Sequence, residues 1–319
     1  MLRFILKRIL LMIPTVLGVV VLVFTIIWFA PGDVVGALAT DQTTEQEMEE
    51  LRRNLGLDRS FGVQLGSYLW DVVTKLDLGT SLVNKTNIAQ DVIARYPNSI
   101  RIAFGGMAIA IVIGIPLGAY AALHRGKAGD AIASTFALFG VSTPGFWAAL
   151  MLVIVFSYHL KIFPSFGHQT WMHWVLPTFA ASLTGIGRLT RQTRSSVLEV
   201  IRSDFVVMAK AKGLPPRKVM WRHIVPNSLM PLITVAGMNF GTMLGGGLII
   251  ERVFSIPGVG GYLVDNVTVR DFKAVQGGVI MTALVFCTVI LLCDILMAFI
   301  DPRIKARYAG NVRRRKKDA

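Results

Sequence analysis

An all-α membrane protein with six transmembrane helices and both termini in the cytoplasm is the fold class this sequence predicts, on three observations. Of its 319 residues, 53% are hydrophobic and 16% charged, against about 45–50% apolar and about 25% charged in soluble domains. Long charge-free stretches recur, and about 20 apolar residues rising 1.5 Å each cross the roughly 30 Å hydrocarbon core. The formal net charge of +14 sits between those stretches. That placement excludes a nucleic-acid binder, which gathers its cations on one exposed face.

The elements follow in order. Residues 1–8 carry Arg3, Lys7 and Arg8 and are cytoplasmic, because Lys and Arg near span ends mark the inside. Residues 9–30 form the first span. Ala37-Leu38-Ala39 imitates a signal cleavage site, but an apolar run of 22 residues exceeds the 7–15 of a signal core, so the helix reads as uncleaved. Residues 31–100 hold ten acidic against six basic residues and fall outside. In them Thr44 and Glu47 form a capping box, Met48, Leu51 and Leu55 share a helical stripe, Glu49 pairs with Arg53, and Gly56 ends the helix. A mixed segment, Phe61–Leu76, leads to a turn at Asp77-Leu78-Gly79-Thr80-Ser81. These outer pieces read as packing elements rather than a ligand site.

The transmembrane domain occupies 95–300, with spans at about 102–123, 131–157, 171–190, 226–250 and 274–299. The basic turn at 124–130 (Arg125, Lys127) is inside. The span at 171–190 is the weakest, with Pro177 and Arg188, and it is required because two cytoplasmic ends demand an even number of spans. An arginine at mid-membrane costs about 2.5–3.5 kcal/mol, so this span ends near Arg188. Arg188, Arg191 and Arg194 then line a helix face suited to lipid headgroups. Between the last two spans, Ile256-Pro257-Gly258-Val259-Gly260-Gly261-Tyr262 forces a tight turn. It either dips back into the bundle or lies as a surface loop. Asp294, deep in the last span, calls for an arginine partner near the cytoplasmic side. The tail 301–319 is basic and cytoplasmic.

Gly114 with Gly118, and Gly237 with Gly241, are small-residue pairs that let helix backbones approach closely. Prolines at 14, 116, 144, 177, 226 and 231 kink their spans. Ser142, Thr143, Asn239 and Thr242 supply a polar lining for a weakly selective translocation path. Enzymatic motifs are absent: no G-x-x-x-x-G-K-[ST] loop, no H-E-x-x-H, no G-x-S-x-G elbow. No catalytic or metal site is expected. Cys287 and Cys293 fall on different faces of one helix, and His159, His168 and His173, spaced nine and five apart, suit an interfacial belt beside Trp171 and Trp174. A stand-alone secondary transporter would show internal repeats and several intramembrane ionisable groups. Only Asp294 is a candidate.

The cytoplasmic segment 191–225 holds the sharpest local signal. Val197, Ile201, Phe205 and Met208 recur at helical spacing, predicting one helix over Ser195–Lys212. Gly213 suits a left-handed cap, and Pro215 and Pro216 suit the first turn of a second helix, Arg217–Ile224, running through Pro226 into the next span. Two short helices joined at a glycine and connected to a span make a lever. A basic lever needs a protein partner or rests on anionic lipid.

With these residues in view the sequence resembles the inner-membrane permease subunits of bacterial ABC importers, of the dipeptide/oligopeptide type. Their cytoplasmic motif is Glu-Ala-Ala, three residues, Gly, nine residues, then Ile-x-Leu-Pro. Here Val207-Met208-Ala209, Gly213 and His223-Ile224-Val225-Pro226 fall at those spacings, matching the second Ala, the Gly and the Pro but not the Glu, first Ala, Ile or Leu. Further family-like blocks are Pro31-Gly32-Asp33, Leu55-Gly56-Leu57-Asp58, Asp77–Ser81, Thr193–Ser196, Phe254–Gly260, Val275–Gly278 and Asp301-Pro302-Arg303, so the resemblance covers nearly the whole chain. It implies the type I permease fold in the inner membrane and a heterodimeric pore with a second, similar permease. It also implies two cytoplasmic ATPase subunits that hold the ATP and Mg²⁺, and an extracytoplasmic substrate-binding protein. This chain itself would be no enzyme and carry no cofactor. Coupling contacts would come from Asp204, Val207, Met208, Ala209, Lys210, Ala211, Gly213, Leu214 and Pro226. Relatives with such patterns carry peptides, glutathione, nickel chelates or oligosaccharides, and peptide is the reading taken.

Overall fold

The computed structural model describes residues 2–29, 35, 44–75 and 77–300. The Pro31-Gly32-Asp33 and Ala37-Leu38-Ala39 strings and the basic tail from Asp301 lie outside the described residues. Among the described residues the chain is helical, apart from one isolated antiparallel bridge between Thr80 and Asn87.

α1 (Leu2–Phe29) is followed by α2 (Glu45–Asn54), where the capping box forms on both sides: Glu47 N–H donates to Thr44 Oγ1, and Thr44 N–H donates to the Glu47 carboxylate. Arg53 lies 3.9 Å from Glu49, and Gly56 takes φ +67 just past the helix end. α3 (Phe61–Trp70) continues through a wider π turn to Lys75. The outer segment is not all loop up to residue 100, because α4 runs Ile88–Leu123 from an Asn87 cap that accepts Gln90 N–H. Its 36 residues are about 54 Å long, so the helix enters the membrane with a turn or more standing outside.

The third expected span is broken. α5 (Ala128–Ser142) and α6 (Gly145–Leu152, extended by a π turn to His159) meet at Thr143-Pro144 with a 101° bend. Thr143 is extended (ψ 122) because the residue before proline is pushed out of the helical region. α7 (Met172–Ile201) passes through Pro177 and continues well beyond residue 190. α8 (Asp204–Ala211) and α9 (Pro216–Val219) precede a π turn and α10 (Val225–Gly246). α11 (Leu248–Val253), α12 (Val259–Thr268) and α13 (Phe272–Ile300) complete the chain. Among the described residues four helices are long and apolar enough to cross a membrane, or five if the bent α5–α6 pair counts as one span. α7 spans about 45 Å over its 30 residues, but it is too polar to qualify.

α7 is central, packing on α4, α5, α6 and α10, while α1 packs on α13 and α13 on α10. Glycines make the closest seams. A Cβ at Gly118 of α4 would lie 2.4 Å from the Thr190 carbonyl oxygen of α7, and Gly237 and Gly241 of α10 take up Cys293 and Phe286 of α13. The anticipated arginine partner of Asp294 is Arg8, at 2.9 Å.

The outer turn is no surface loop: Phe254, Ile256, Val259 and Tyr262 are buried against the bundle. Glu251, 2% exposed, accepts a hydrogen bond from Ser99 Oγ (2.6 Å) and another from Gly261 N–H (3.1 Å), while Ser99 Oγ accepts Val259 N–H. Its carboxylate fills the space a side chain at Gly258 would need. Buried Asp271 accepts Ser81 Oγ–H and Val83 N–H on one oxygen and Ala274 N–H on the other, fastening the Asp77–Ser81 turn to the start of α13. The outer pieces also enclose what their sequence did not suggest. A cavity of about 430 Å³ is lined by Trp28 and Tyr68, by Arg59 and Lys273, and by Gln276.

Candidate partner-docking elbow and translocation path

The elbow is built by two breaks. The single helix expected over Ser195–Lys212 is interrupted at Arg202-Ser203, where Ser203 turns extended (φ −72, ψ 147) and its hydroxyl donates back to the Val200 carbonyl. A serine that bonds its own chain in this way competes with helical propagation. Asp204 opens α8, its acidic side chain suited to a helix start. The second break is Gly213, at φ +75, which only glycine takes without strain. Its N–H bonds the Lys210 carbonyl and Leu214 N–H bonds the Ala209 carbonyl, the double bond pattern of a Schellman cap. Pro215 and Pro216 then start α9 as anticipated, and Pro226 follows the π turn into α10, where its missing N–H loosens the join between the two helices.

One edge of α8 is cemented to the membrane bundle. Val206 and Ala209 are buried with Ala122 at the end of α4, Val197 of α7, Val219 of α9 and Ile224, and Leu214 packs against the group. The other edge is bare. Phe205, Val207, Met208 and Trp221 are exposed, Met208 at 59% and Trp221 at 67%. Around them Lys210, Lys212, Arg217, Lys218 and Arg222 are exposed, as are Asp204, Ala211 and Pro226. Large apolar side chains ringed by polar groups are the mark of an interaction surface. Of the residues anticipated as coupling contacts, Asp204, Val207, Met208, Lys210, Ala211 and Gly213 lie on this open side, while Ala209 faces inward.

A feature above the elbow was missed in the sequence. Arg194 is not a headgroup contact. Its Nε and Nη2 donate to the two oxygens of Asp130 at 2.6 and 2.8 Å, and Asp130 also accepts Gly126 N–H and, at 3.3 Å, Ser134 Oγ–H. This fork ties the turn before α5 to α7. The available signal was an acid at the first turn of a span, otherwise unexplained, facing a row of arginines.

The anticipated path residues do not form one lining. Ser142 and Thr143 sit at the α5–α6 break, where Thr143 Oγ1 donates to the Phe139 carbonyl, whereas Asn239 and Thr242 belong to α10. Thr242 is exposed, but Asn239 is only 3% exposed. Asn239 is held within the α7–α10 seam, where its Oδ1 accepts a hydrogen bond from Arg188 Nη1 at 3.1 Å. At the outer end, His173 Nδ1 is occupied by Thr170.

Residues 114–306 match the family model described as "Binding-protein-dependent transport system inner membrane component", and residues 1–103 match its N-terminal companion. A glutathione transport system permease protein, GsiC, of Salmonella choleraesuis is 34% identical over 305 residues, covering 96% of this chain and 99% of its own. A dipeptide transport system permease protein, DppB, of Alkalihalophilus pseudofirmus is 33% identical, covering 96% and 100%. Among solved structures, the inward-facing MetNI methionine ABC transporter superposes with a TM-score of 0.57 at 16% identity, over 66% of this chain and 97% of that one. The likeness is one of fold.

Proposed function

The chain belongs to the family of binding-protein-dependent transport system inner membrane components, and we propose that it forms half of the path through which an ATP-driven importer moves di- and oligopeptides. It is a multi-pass protein of the cytoplasmic membrane. Its partners in this reading are a second, similar permease, two ATPases that bind ATP and Mg²⁺, and an external binding protein. The observation that carries the reading is the bare edge of α8, an apolar knob of Val207 and Met208 with a basic rim, welded on its other edge to the ends of α4, α7 and α10. An ATPase that seats this knob moves three membrane helices when it closes. Rigid-body rocking of that kind gives alternating access.

Peptide cargo is supported by the relatives' names, dipeptide and glutathione, both short peptidic solutes. Nickel chelates and oligosaccharides are the remaining alternatives. The test is made on the assembled transporter. Gly213→Pro cannot hold φ +75, and Met208→Glu puts a charge on the knob. Each is expected to abolish stimulation of ATP hydrolysis by loaded binding protein while the four-subunit complex still co-purifies. Wild-type stimulated hydrolysis in both variants refutes the elbow as the coupling site, and purification without ATPase partners refutes the importer reading.

A further inference from the structure

We infer that Arg188, steadied by Asn239, is a contact for the cargo's carboxylate inside the translocation path; this rests on the importer reading above. The argument begins with α7. Toward its inner end the exposed residues Arg188, Arg191, Ser195 and Glu199, with Arg202 just past the helix, are spaced 3, 4, 4 and 3 apart, so they form one stripe, while Leu189, Thr190, Thr193, Ser196 and Val197 beside it are buried. The stripe is about 21 Å long at 1.5 Å per residue and runs from the interior of the bundle to the cytoplasmic elbow. Ser195, Glu199 and Arg202 belong to the cytoplasmic segment, but Arg188 lies at the inner end of the span, where a charged group faces the bundle interior or a water-filled cavity rather than hydrocarbon. The fully polar run points to a water-lined wall.

Arg188 heads this row, about 9 Å outward of Arg194 along the helix axis. It does not reach down to the headgroups. Its guanidinium turns across to α10, where Asn239 accepts one of its five N–H donors. Asn239 is buried, and its own Nδ2 has no hydrogen-bond partner. The Arg188–Asn239 bond anchors the guanidinium at the α7–α10 seam and leaves its other donors open. Among the described residues no carboxylate pairs with Arg188. A fixed guanidinium with donors to spare, one turn above Arg191, suits a planar, bidentate anion. In a path for peptides that anion is the terminal carboxylate. Arg188 is the contact and Asn239 a positioning residue.

The experiment compares two cargoes in the complete transporter reconstituted in liposomes: one peptide with a free C-terminal carboxylate and the same peptide as its C-terminal amide. Binding-protein affinity for each is measured separately, and uptake is read with the binding protein saturated. Loss of one charge-assisted contact predicts that Arg188→Gln slows turnover of the free acid about ten-fold and leaves the amide's turnover unchanged. Arg188→Lys keeps the charge but loses the two-pronged fit, so the preference falls to an intermediate level, and Asn239→Ala weakens it with the same selectivity. Equal slowing of both cargoes by Arg188→Gln overturns the inference. So does loss of the second permease from the purified variant complex, which would make Arg188 a subunit contact. A wild-type complex that moves neither peptide refutes the peptide cargo and this inference together, whereas a variant indistinguishable from wild type refutes the inference alone.

Discussion

Gly118→Ala tests the seam on which the bundle is built. Ordinary van der Waals contact begins near 3.4 Å, yet a Cβ here would meet the Thr190 carbonyl oxygen at 2.4 Å and Thr193 Cβ at 2.6 Å. The Thr190 carbonyl belongs to the backbone of α7 eleven residues from its end and cannot retract by itself. The two helices must therefore part by at least 3.4 − 2.4 = 1.0 Å, close to the point where Ala122 joins the elbow's buried group. Forcing an extra methyl into a packed seam costs about 1–3 kcal/mol. At about 2–4 °C per kcal/mol for a domain of this size class, the apparent melting temperature of the detergent-solubilised complex falls by roughly 2–12 °C. Gly18→Ala on α1 is the control, since nothing lies within 4 Å of that position and alanine is the better helix former by about 0.5–1 kcal/mol. It leaves the melting temperature equal or slightly higher. A Gly118→Ala protein that melts with wild type, or a Gly18→Ala protein that falls as far, refutes close packing as the reason for these glycines.

Further outcomes follow from polar contacts. Burial raises the Glu251 carboxyl above its ordinary value of 4.5, against the opposing hydrogen bonds of Ser99 and Gly261. The native hairpin therefore holds a proton that the unfolded chain releases, so stability falls as pH rises from 4.5 through the raised value and is level above it. Glu251→Gln removes this slope, read by hydrogen exchange of amides 256–262 across a pH series; an unchanged slope assigns it elsewhere. Arg194→Lys keeps the charge but loses the two-pronged contact with Asp130. It should uncouple ATP hydrolysis about as much as Asp130→Asn, with the double variant no worse than either; additive losses would show that the two residues act separately. Thr44→Ala deletes the cap of α2 and speeds exchange over Glu45–Asn54 with transport unaffected, so slowed transport would give that outer helix a working role.

Much of this was legible because it is local. The capping box at Thr44, the left-handed cap at Gly213 and the proline start of α9 each depend on residues within a few positions, and the structure places them where the pattern does. Breaks were harder. Val197 and Ile201 pack into the buried group beneath α8 whereas Phe205 and Met208 lie on its bare edge, so apolar spacing runs on across Ser203 for two different reasons and periodicity alone hides the interruption. Pairings between distant segments were only partly legible: a lone acid in a span called for an arginine, and Asp294 meets Arg8, but which arginine meets which partner left no trace. Arg194 with Asp130 spans 64 positions and Arg188 with Asn239 spans 51. Arginines at a membrane boundary look the same in sequence whether they meet lipid, a carboxylate or an amide. Asn239 illustrates the cost: a polar residue in a span suggested a lining, and its burial makes it a support for the residue that lines.

These contacts bear on how the elbow works without the glutamate that the family motif places at Val207. A glutamate there would offer a directed, charge-assisted contact, whereas Val207 and Met208 offer exposed apolar area. The direction must then come from elsewhere. The basic rim of Lys210, Lys212, Arg217 and Arg222 can steer an acidic partner surface over long range, while the apolar knob supplies attraction that salt does not screen. Stiffness comes from the opposite edge, where Val206 and Ala209 share one packed group with α4, α7 and α9, and from the Asp130–Arg194 fork that brings α5 into the same unit. Displacing α8 by an ångström therefore moves the inner ends of α4, α5 and α7 together, and through Ile224 the start of α10. The head of the polar stripe at Arg188 lies on one of them, so in the proposed importer a motion that an ATPase imposed on the elbow would reposition Arg188 as well.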